Sequence, residues 1–416
     1  MQKRILMAGI SAAACITAAT SASAVEIEYW QYIYDTRVEA MDQLIENFEE
    51  ANPDITVKQV TFPYADYQTR IVAANMARKG PDVMQLFYGW ADKFIEGNLI
   101  QPLPEDTFPA AQIEEEFFPI VSAMKRDGEY YGLPTAVRSL ALFWNKDLFE
   151  EAGIDGPPET LDELVEYGKE LAVKNDAGNF ETVGLTLDMA GQDHQWWREV
   201  LVRQMGGVPY NDDYSQVTYD DDAAGAEALE FYTNLQTEHG IGAAGFMDEG
   251  QAAFRAGRAA MTIDGTFRLG SFNSIEDFEW GVAELPANEE GVQSNYASYF
   301  ANAIGSSAEG EELEASIKFL EYISSDEAMQ IWLEVVGELP ARRDAAMTDA
   351  NMNDPIYGPF LAALPYAHTT LFVDEAAQRQ TAIDMANRVF LQGQSPADSV
   401  AEAAEQEQAI IDDARD

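Results

Sequence analysis

Strand-like and helix-like segments alternate through the first part of this chain. Val25 to Ile33 alternates with a period of two, and Val38 to Ala51 then repeats apolar residues at helical spacing. Ile55 to Phe62, Tyr67 to Arg78 and Asp82 to Phe87 continue the pattern as strand, helix and strand. Strands that alternate with helices of this length predict an α/β fold, with mostly parallel sheets and helices on both faces.

The rest of the chain adds further strands and a largely helical end. Tyr131 to Trp144 reads as an apolar strand, and Ala301 to Gly305 as a short strand that returns late in the chain. A chain of 416 residues is too long for one ordinary core, and no low-complexity linker divides it. We therefore expect two lobes joined by ordered crossings. Helices are predicted at Leu313 to Ser324, Asp326 to Val336, Gln378 to Leu391 and Pro396 to Ile411.

The N-terminal residues predict export from the cytoplasm. Lys3 and Arg4 precede a short apolar run, and the small residues Ala22-Ser23-Ala24 follow as a cleavage site. The run is too short for a stable membrane anchor, so residues 1–24 are expected to be a signal peptide and the mature protein to reside in the periplasm. Lipidation at Cys15 is the alternative.

Composition excludes several kinds of site. The single cysteine lies in the predicted signal peptide, so the mature chain is expected to have no disulfide and no thiolate nucleophile. His194, His239 and His368 are not spaced to share a metal ion, and we expect neither a metal nor a cofactor. With 25 basic and 73 acidic residues, the net charge of −48 repels phosphate backbones, so nucleic acid is not an expected partner.

Eight short motifs occur in order along nearly the whole mature chain. They are Phe48 to Val57, Gly80 to Val83, Tyr131 to Pro134, Trp144 to Gly153, Pro157 to Leu164, Phe254 to Gly265, Gly337 to Arg342 and Leu391 to Pro396. Together they resemble the extracellular solute-binding proteins of carbohydrate importers, the group that includes maltose-binding and glycerol-3-phosphate-binding proteins. The resemblance implies a two-lobe periplasmic-binding-protein fold of type II-like architecture, with the ligand cleft between the lobes.

The same resemblance implies how the lobes are divided. The chain is expected to cross between lobes near residues 137–139, 297–301 and 355–360. What we call the first lobe is then 25–137 with 301–356, and the second lobe is 140–297 with 358–416. The protein is expected to act as a monomer that delivers its ligand to the membrane permease subunits of an ABC importer.

Candidate ligand contacts follow from the chemistry of sugars. A sugar has polar hydroxyl edges and an apolar face, so its site needs aromatic platforms beside polar groups. In open α/β sheets such groups lie beyond the carboxyl ends of strands. At least one of Trp196 and Trp197 is expected to be such a platform, and burial of one of them as core is the alternative. The predicted binding residues are Trp30, Gln31, Tyr32, Tyr64, Asp66, Tyr88, Trp90, Arg138, His194, Trp196, Trp197, Asp264, Gly265, Thr266, Phe267, Tyr296, Tyr299 and Arg342.

The chemical class of the ligand stays open at this point. Arg138 stands within an apolar strand, where the maltose-binding proteins have an acidic residue, and it needs a carboxylate or an anionic ligand as its partner. A neutral mono- or oligosaccharide is the preferred interpretation, and an anionic sugar derivative or a glycerophosphoryl compound is the alternative. A secreted glycoside hydrolase is the rival class, but no G-x-S-x-G or H-E-x-x-H motif occurs, and we expect no enzyme activity.

Overall fold

A computed structural model describes residues 24–189, 191–211 and 213–415 of the chain. The predicted signal peptide, except Ala24, and its alternative lipidation site Cys15 lie outside these residues. The strands of the described part are β1 (Val25–Tyr32), β2 (Ile55–Phe62), β3 (Val83–Phe87), β4 (Lys125–Arg126), β5 (Glu129–Tyr130), β6 (Leu133–Asn145), β7 (Val173–Lys174), β8 (Phe180–Leu185), β9 (Ala259–Gly265), β10 (Trp280–Ala283), β11 (Asn295–Ile304), β12 (Leu339–Pro340) and β13 (Ala367–His368).

The helices confirm the helical periodicity of the sequence, with ends displaced by a few residues. They are α1 (Asp35–Ala51), α2 (Tyr64–Met76), α3 (Ala91–Glu96), α4 (Ala110–Glu116), α5 (Lys146–Ala152), α6 (Leu161–Leu171), α7 (Gln192–Gln204), α8 (Ala224–Thr237), α9 (Gly250–Arg255), α10 (Leu269–Phe272), α11 (Gly310–Ile323), α12 (Asp326–Val336), α13 (Arg343–Ala346), α14 (Asp349–Met352), α15 (Tyr357–Ala363), α16 (Glu375–Gln392) and α17 (Pro396–Arg415). Within the described residues, no helix combines the length and apolar character that a membrane span needs.

The main sheet has the strand order β2-β1-β3-β11-β6-β9-β8-β7. β1 pairs in parallel with β2 and β3, and β8 pairs in parallel with β9, as the alternation of strands and helices predicts. The central strands β11 and β6 run antiparallel to their neighbours, so the sheet is mixed rather than mostly parallel. The reason is that these strands carry the chain across the molecule and back, and a returning strand runs in the opposite direction.

Two long strands, β6 and β11, run through the expected crossing positions. β6 pairs with β11 between Leu133 and Ser139 and with β9 from Leu140 onward. β11 pairs with β6 between Ala297 and Asn302 and with β3 from Phe300 onward. A third segment, α15 from Tyr357, packs on β6. These are the positions at which the resemblance implies crossings, and the lobe boundaries themselves stay a prediction.

The apolar periodicity of α1 explains how this helix packs. Met41, Leu44, Ile45 and Phe48 are buried on one face, at the spacing that the sequence predicts. The ring of Phe48 lies edge-on to that of Phe319 in α11, with 5.1 Å between the ring centroids. Burying one such side chain stabilises the fold by roughly 1.5–3 kcal/mol. This packing holds α1 against α11 within the first lobe. It thereby positions the loop that leads from β1 into α1.

A glycine contact holds α6 against β8 and gives the first testable prediction. A Cβ atom added at Gly184 would lie 2.1 Å from the backbone oxygen of Gly168 in α6, so the backbones touch at this point. We expect Gly184→Ala to lower the free energy of unfolding by about 1–3 kcal/mol, because the helix has to move away from the strand. Urea-induced unfolding measures the change.

Gly270→Ala is the matched control for this prediction. Gly270 lies in α10, and a Cβ atom there meets nothing within 4 Å. Alanine is the better helix former by about 1 kcal/mol, so Gly270→Ala should leave the stability unchanged or slightly higher. A destabilisation by Gly184→Ala no larger than the effect at Gly270 would contradict the close-approach argument.

Candidate functional site

A cavity of about 840 Å³ lies between the two lobes. This volume is within the range of small-molecule sites. Its lining residues come from both lobes and from the strands that cross between them. They are Tyr32, Tyr34, Arg37, Tyr64, Phe87, Arg138, Asp188, Gly191, Gln192, Asp193, Asp248, Glu249, Gln251, Phe267, Arg268, Phe300 and Arg379.

The first-lobe side of the cavity is built at the carboxyl ends of parallel strands. Tyr32 and Phe87 are the last residues of β1 and β3, while Tyr64 is the first residue of α2, directly after β2. The rings of Tyr32 and Tyr64 meet edge to face with their centroids 5.1 Å apart, and Phe300 lies 4.9 Å from Tyr32. Tyr64 keeps 49% of its surface exposed, so its ring is available to a ligand.

The floor of the cavity holds three buried charges, Arg37, Arg138 and Glu338, which we call the floor cluster. Glu338 forms ion pairs with both arginines, and its carboxylate also accepts a hydrogen bond of 3.0 Å from Trp332 Nε1. Burial alone raises the pKa of Glu338, but the charges of the two guanidiniums outweigh burial, and its pKa lies below the ordinary value. Both guanidiniums also lie 5.0 Å from the ring centroid of Phe300.

The second-lobe side of the cavity is acidic. Asp188, Asp193, Asp248 and Glu249 line it, and we call these four residues the acidic wall. Behind Asp193 lies the buried Asp264, whose carboxylate accepts a hydrogen bond of 2.8 Å from Arg268 Nε. Burial raises the pKa of Asp193 and of Asp264, and this effect outweighs the opposing charge of Arg268. A nearby carboxylate raises each pKa further, that of Asp264 for Asp193 and that of Asp188 for Asp264. The wall therefore offers carboxyl groups that can bond hydroxyls.

A polar contact joins the two sides of the cavity at the start of α1. Tyr34 OH in the first lobe donates a hydrogen bond of 3.5 Å to the backbone oxygen of Phe267 in the second. Tyr34 is the N-terminal cap residue of α1, and Phe267 lies in the short 3₁₀ helix that follows β9. The cavity is thus bounded by residues that move relative to each other if the lobes move. Within the described residues, no group of three histidine, cysteine or acidic side chains is arranged to hold a metal ion.

Comparison with known proteins decides the family. The model of the bacterial extracellular solute-binding protein family matches residues 43–359, which is more than half of the chain. The chain belongs to this family. The members of this solute-binding family are binding proteins rather than enzymes, in agreement with the expectation from the sequence.

Individual relatives and structures agree with this assignment. A maltotriose-binding protein of Pyrococcus abyssi is 23% identical over 352 residues, which cover 82% of this chain and 72% of the relative. The sn-glycerol-3-phosphate-binding periplasmic protein UgpB of Salmonella typhimurium is 24% identical and covers 76% of this chain and 74% of its own. The sugar-binding protein MalE of Xanthomonas citri has a TM-score of 0.81 at 22% identity, with 94% of this chain and 98% of that chain covered. The solute-binding chain therefore has the two-lobe fold that the resemblance implies.

Four of the predicted binding residues line the cavity of this solute-binding protein: Tyr32, Tyr64, Arg138 and Phe267. Their contact with a ligand stays a prediction. The other fourteen do not line the cavity, and they are Trp30, Gln31, Asp66, Tyr88, Trp90, His194, Trp196, Trp197, Asp264, Gly265, Thr266, Tyr296, Tyr299 and Arg342.

The polar-aromatic cluster of α7 is core. His194 and Trp197 are completely buried, and His194 Nδ1 lies 3.1 Å from Tyr232 OH. Trp196 stacks on Tyr296 at 4.9 Å between ring centroids. The sequence argument that a core would not tolerate these polar groups is wrong, because they are buried, with Tyr232 of α8 as the hydrogen-bonding partner of His194 Nδ1.

Packing explains the aromatic residues near the crossings as well. Tyr88 OH lies 2.7 Å from Tyr296 OH, and the rings of Tyr88 and Tyr299 stack at 5.0 Å. Trp90 stacks on Phe94 at 6.2 Å. These rings fill the space beneath the cavity instead of facing it, since each is at least nine-tenths buried.

The remaining polar candidates are engaged elsewhere. Arg342 pairs with Glu116 and Asp326. Asp66 is exposed and pairs with Arg70. Trp30 Nε1 donates a hydrogen bond to Glu28, and Gln31 Nε2 donates one to Gln59. Asp264 pairs with Arg268. Gly265, at the end of β9, and Thr266, which follows it, are buried.

Sequence reasoning missed several residues of the site. Tyr34 and Arg37 follow β1 closely enough that the strand-end rule could have included them. Phe300 follows the predicted Tyr299, and Asp193 precedes the predicted His194, so in both places the neighbour of a cavity residue was chosen. No pattern in the sequence indicates that Glu338 belongs to the site, because its partners Arg37 and Arg138 are far away in sequence.

Proposed function

We propose that this protein is the periplasmic substrate-binding component of an ABC importer, that it captures a carbohydrate by closure of its two lobes, and that it delivers the ligand to a membrane permease. The observation that carries the proposal is the interlobe cavity of about 840 Å³, which combines exposed rings with charged and polar groups in a member of a solute-binding family. Relatives named for maltotriose and for sn-glycerol-3-phosphate support a ligand rich in hydroxyl groups.

The cavity suits the two surfaces of a sugar. The ring of Tyr64 in the first lobe and that of Phe267 in the second can pack against the apolar C–H face. Carboxyl and guanidinium groups around them can bond hydroxyls once water is expelled. Because these groups come from both lobes, a ligand that contacts both stabilises the closed form.

Export, the permease and the oligomeric state belong to the same proposal. Residues 1–24 direct the chain to the periplasm, where the closed monomer docks on the transmembrane subunits. The test of this proposal is isothermal titration calorimetry of the mature protein with mono- and oligosaccharides, sugar acids and polyols, together with small-angle scattering before and after ligand. We expect binding with a decrease in the radius of gyration. Absence of binding to every compound, or turnover of one of them, would contradict the proposal.

Tyr64 provides a prediction for ligand affinity. Replacing Tyr64 by alanine removes a half-exposed ring from the cavity, while alanine is well suited to the start of α2. We expect affinity for the sugar to fall about tenfold, since the loss of one aromatic contact is worth about 1.4 kcal/mol. Tyr64→Phe keeps the ring and should change the affinity by no more than about twofold. Equal losses in the two variants would show that the hydroxyl, not the ring, binds the ligand.

A further inference from the structure

We propose that the carbohydrate bound in the cavity is a sugar acid, whose carboxylate binds Arg138 of the floor cluster. The inference rests on the proposed function, because it specifies the ligand of the same cavity. It differs from the preference of the sequence analysis, which was for a neutral sugar.

The first argument is the charge of the floor cluster. Arg37, Arg138 and Glu338 are 2%, 9% and 5% exposed. Among the described residues, Glu338 is the carboxylate that forms ion pairs with both arginines, so two positive charges face one negative charge. Buried charges are costly unless they are paired. One positive charge therefore remains to be compensated at the surface of the cavity.

The second argument is the unused hydrogen-bonding capacity of Arg138. Glu338 Oε1 accepts its hydrogen bond from Arg37, whereas Arg138 Nε lies 3.8 Å from that oxygen, beyond hydrogen-bonding distance. Arg138 Nε is buried and has no hydrogen-bond partner among the described residues. Arg138 nevertheless lines the cavity. Because Nε is buried, a ligand in the cavity would approach the guanidinium from its Nη side.

The surroundings of Arg138 favour an anion at its edge. The guanidinium carbon lies 5.5 Å from the ring centroid of Phe267 and 5.0 Å from that of Phe300. Aromatic rings bind a guanidinium through its flat face and provide no hydrogen-bond acceptor in its plane. A carboxylate fills that plane with two parallel acceptors, which is the geometry that arginine recognises best.

The distribution of charge distinguishes a carboxylate from a phosphate. A carboxylate carries one negative charge, which matches the one uncompensated positive charge, whereas a phosphate monoester carries about −1.5 to −2 at neutral pH. The acidic wall lies on the opposite, second-lobe side, where Arg268 and Arg379 are already paired with Asp264 and Glu375, so this side would repel the additional charge. The same wall suits hydroxyl donors, so the ligand has a carboxylate at one end and hydroxyls at the other.

The experiment compares sugars that differ in one group. The mature protein is titrated calorimetrically with D-glucose and D-glucuronate, D-galactose and D-galacturonate, and D-mannose and D-mannuronate. The 6-phosphates of the same hexoses form the third arm. We expect one uronate to bind at least about tenfold more tightly than its neutral partner and than the corresponding phosphate. A neutral sugar that binds as tightly as its acid, or a phosphate that binds more tightly, would overturn the inference.

Two variants test whether Arg138 is the residue that binds the carboxylate of the uronate. Arg138→Gln should weaken uronate binding by about 30-fold and binding of the neutral partner by a much smaller factor, because only the acid loses a charged hydrogen bond. Arg70→Gln is the control, since it removes the same charge from an exposed position of α2 that does not line the cavity. Equal uronate affinity in the native protein and in Arg138→Gln would contradict the inference.

The outcomes separate this inference from the proposed function. If neutral sugars bind and the acids do not, the carbohydrate-binding function stands and the sugar-acid inference fails. If no sugar of either kind binds, the sugar-acid inference fails, and the proposed function fails with it only when the oligosaccharides and polyols of its own test do not bind either. The comparison of acids with neutral sugars uses the native protein alone, so it decides the question even if Arg138→Gln does not fold.

Discussion

Replacing Glu338 by glutamine is expected to lower the free energy of unfolding by about 3–5 kcal/mol. The substitution keeps the size of the side chain but removes the charge that pairs with Arg37 and Arg138. Two buried guanidiniums are then left beside each other without an anion. Glutamine can still accept the hydrogen bond from Trp332 Nε1. The decrease in the free energy of unfolding therefore measures the effect of the charge rather than of this hydrogen bond. Urea-induced unfolding followed by circular dichroism measures it.

Glu334→Gln is the control for that result. Glu334 is exposed on α12, where it accepts a hydrogen bond of 3.0 Å from Gln330, and its replacement should change the stability by no more than about 0.5 kcal/mol. Similar losses in the two variants would mean that removal of any acidic side chain is costly, and the argument from the floor cluster would fail.

The pH dependence of the Glu338 effect has a definite sign. Its pKa in the folded protein is below the ordinary value, because the two guanidinium charges outweigh the effect of burial. The carboxylate therefore contributes its stability above the ordinary glutamate pKa of about 4.3, and this contribution is lost as the pH falls through the lowered folded pKa. The stabilities of the native protein and of Glu338→Gln should converge only in strong acid.

His194 is expected to make the protein less stable as the pH falls below about 6.5, by up to about 1.4 kcal/mol per pH unit. Burial lowers the pKa of His194 to about 3, and the charge of Arg198 adds to the effect. Between these two pKa values, the unfolded chain binds a proton that the folded protein does not, so acid favours unfolding. The contribution is fully present above pH 6.5 and is lost progressively toward pH 3.

The measurement compares the native protein with His194→Gln between pH 7 and pH 5. The variant should lose about 2 kcal/mol less stability over this interval, since it lacks the titrating imidazole. The buried Asp193 and Asp264 have raised pKa values and act in the opposite direction, but they do so in both proteins and cancel in the difference. The native pH dependence in His194→Gln would contradict the assignment.

The elements of the fold could be predicted because their signals are local. The periodicity of α1 and β2 is contained in a few consecutive residues, and both elements form where the sequence predicts them. The direction of β11 could not be predicted in this way, because it depends on pairing with β3 and β6, which lie more than 150 residues earlier. Its start at Asn295 instead of Ala301 has the same cause, since the added residues pair with β6 and β13.

The site was predictable to the extent that it follows strand ends. That rule identified Tyr32 and Tyr64, but it could not decide between neighbours such as Tyr299 and Phe300, which point to opposite faces of a strand. Both faces of β11 carry aromatic residues, so apolar character does not distinguish the cavity face from the core face. The floor cluster was beyond prediction for a different reason: it joins Arg37 to Glu338, which only the tertiary fold brings together.

The buried contact between Tyr88 OH and Tyr296 OH joins the expected first lobe to the end of the first segment of the expected second lobe, so it bears on how the lobes can move. A hydrogen bond of 2.7 Å survives rotation about its axis but is broken by a separation of about one ångström. If this hydrogen bond persists while the lobes move, the two lobes can rotate about it but cannot slide past each other or separate at this point. Displacement then grows with distance from this point, and the outer rim travels furthest for a small angular change at the pivot.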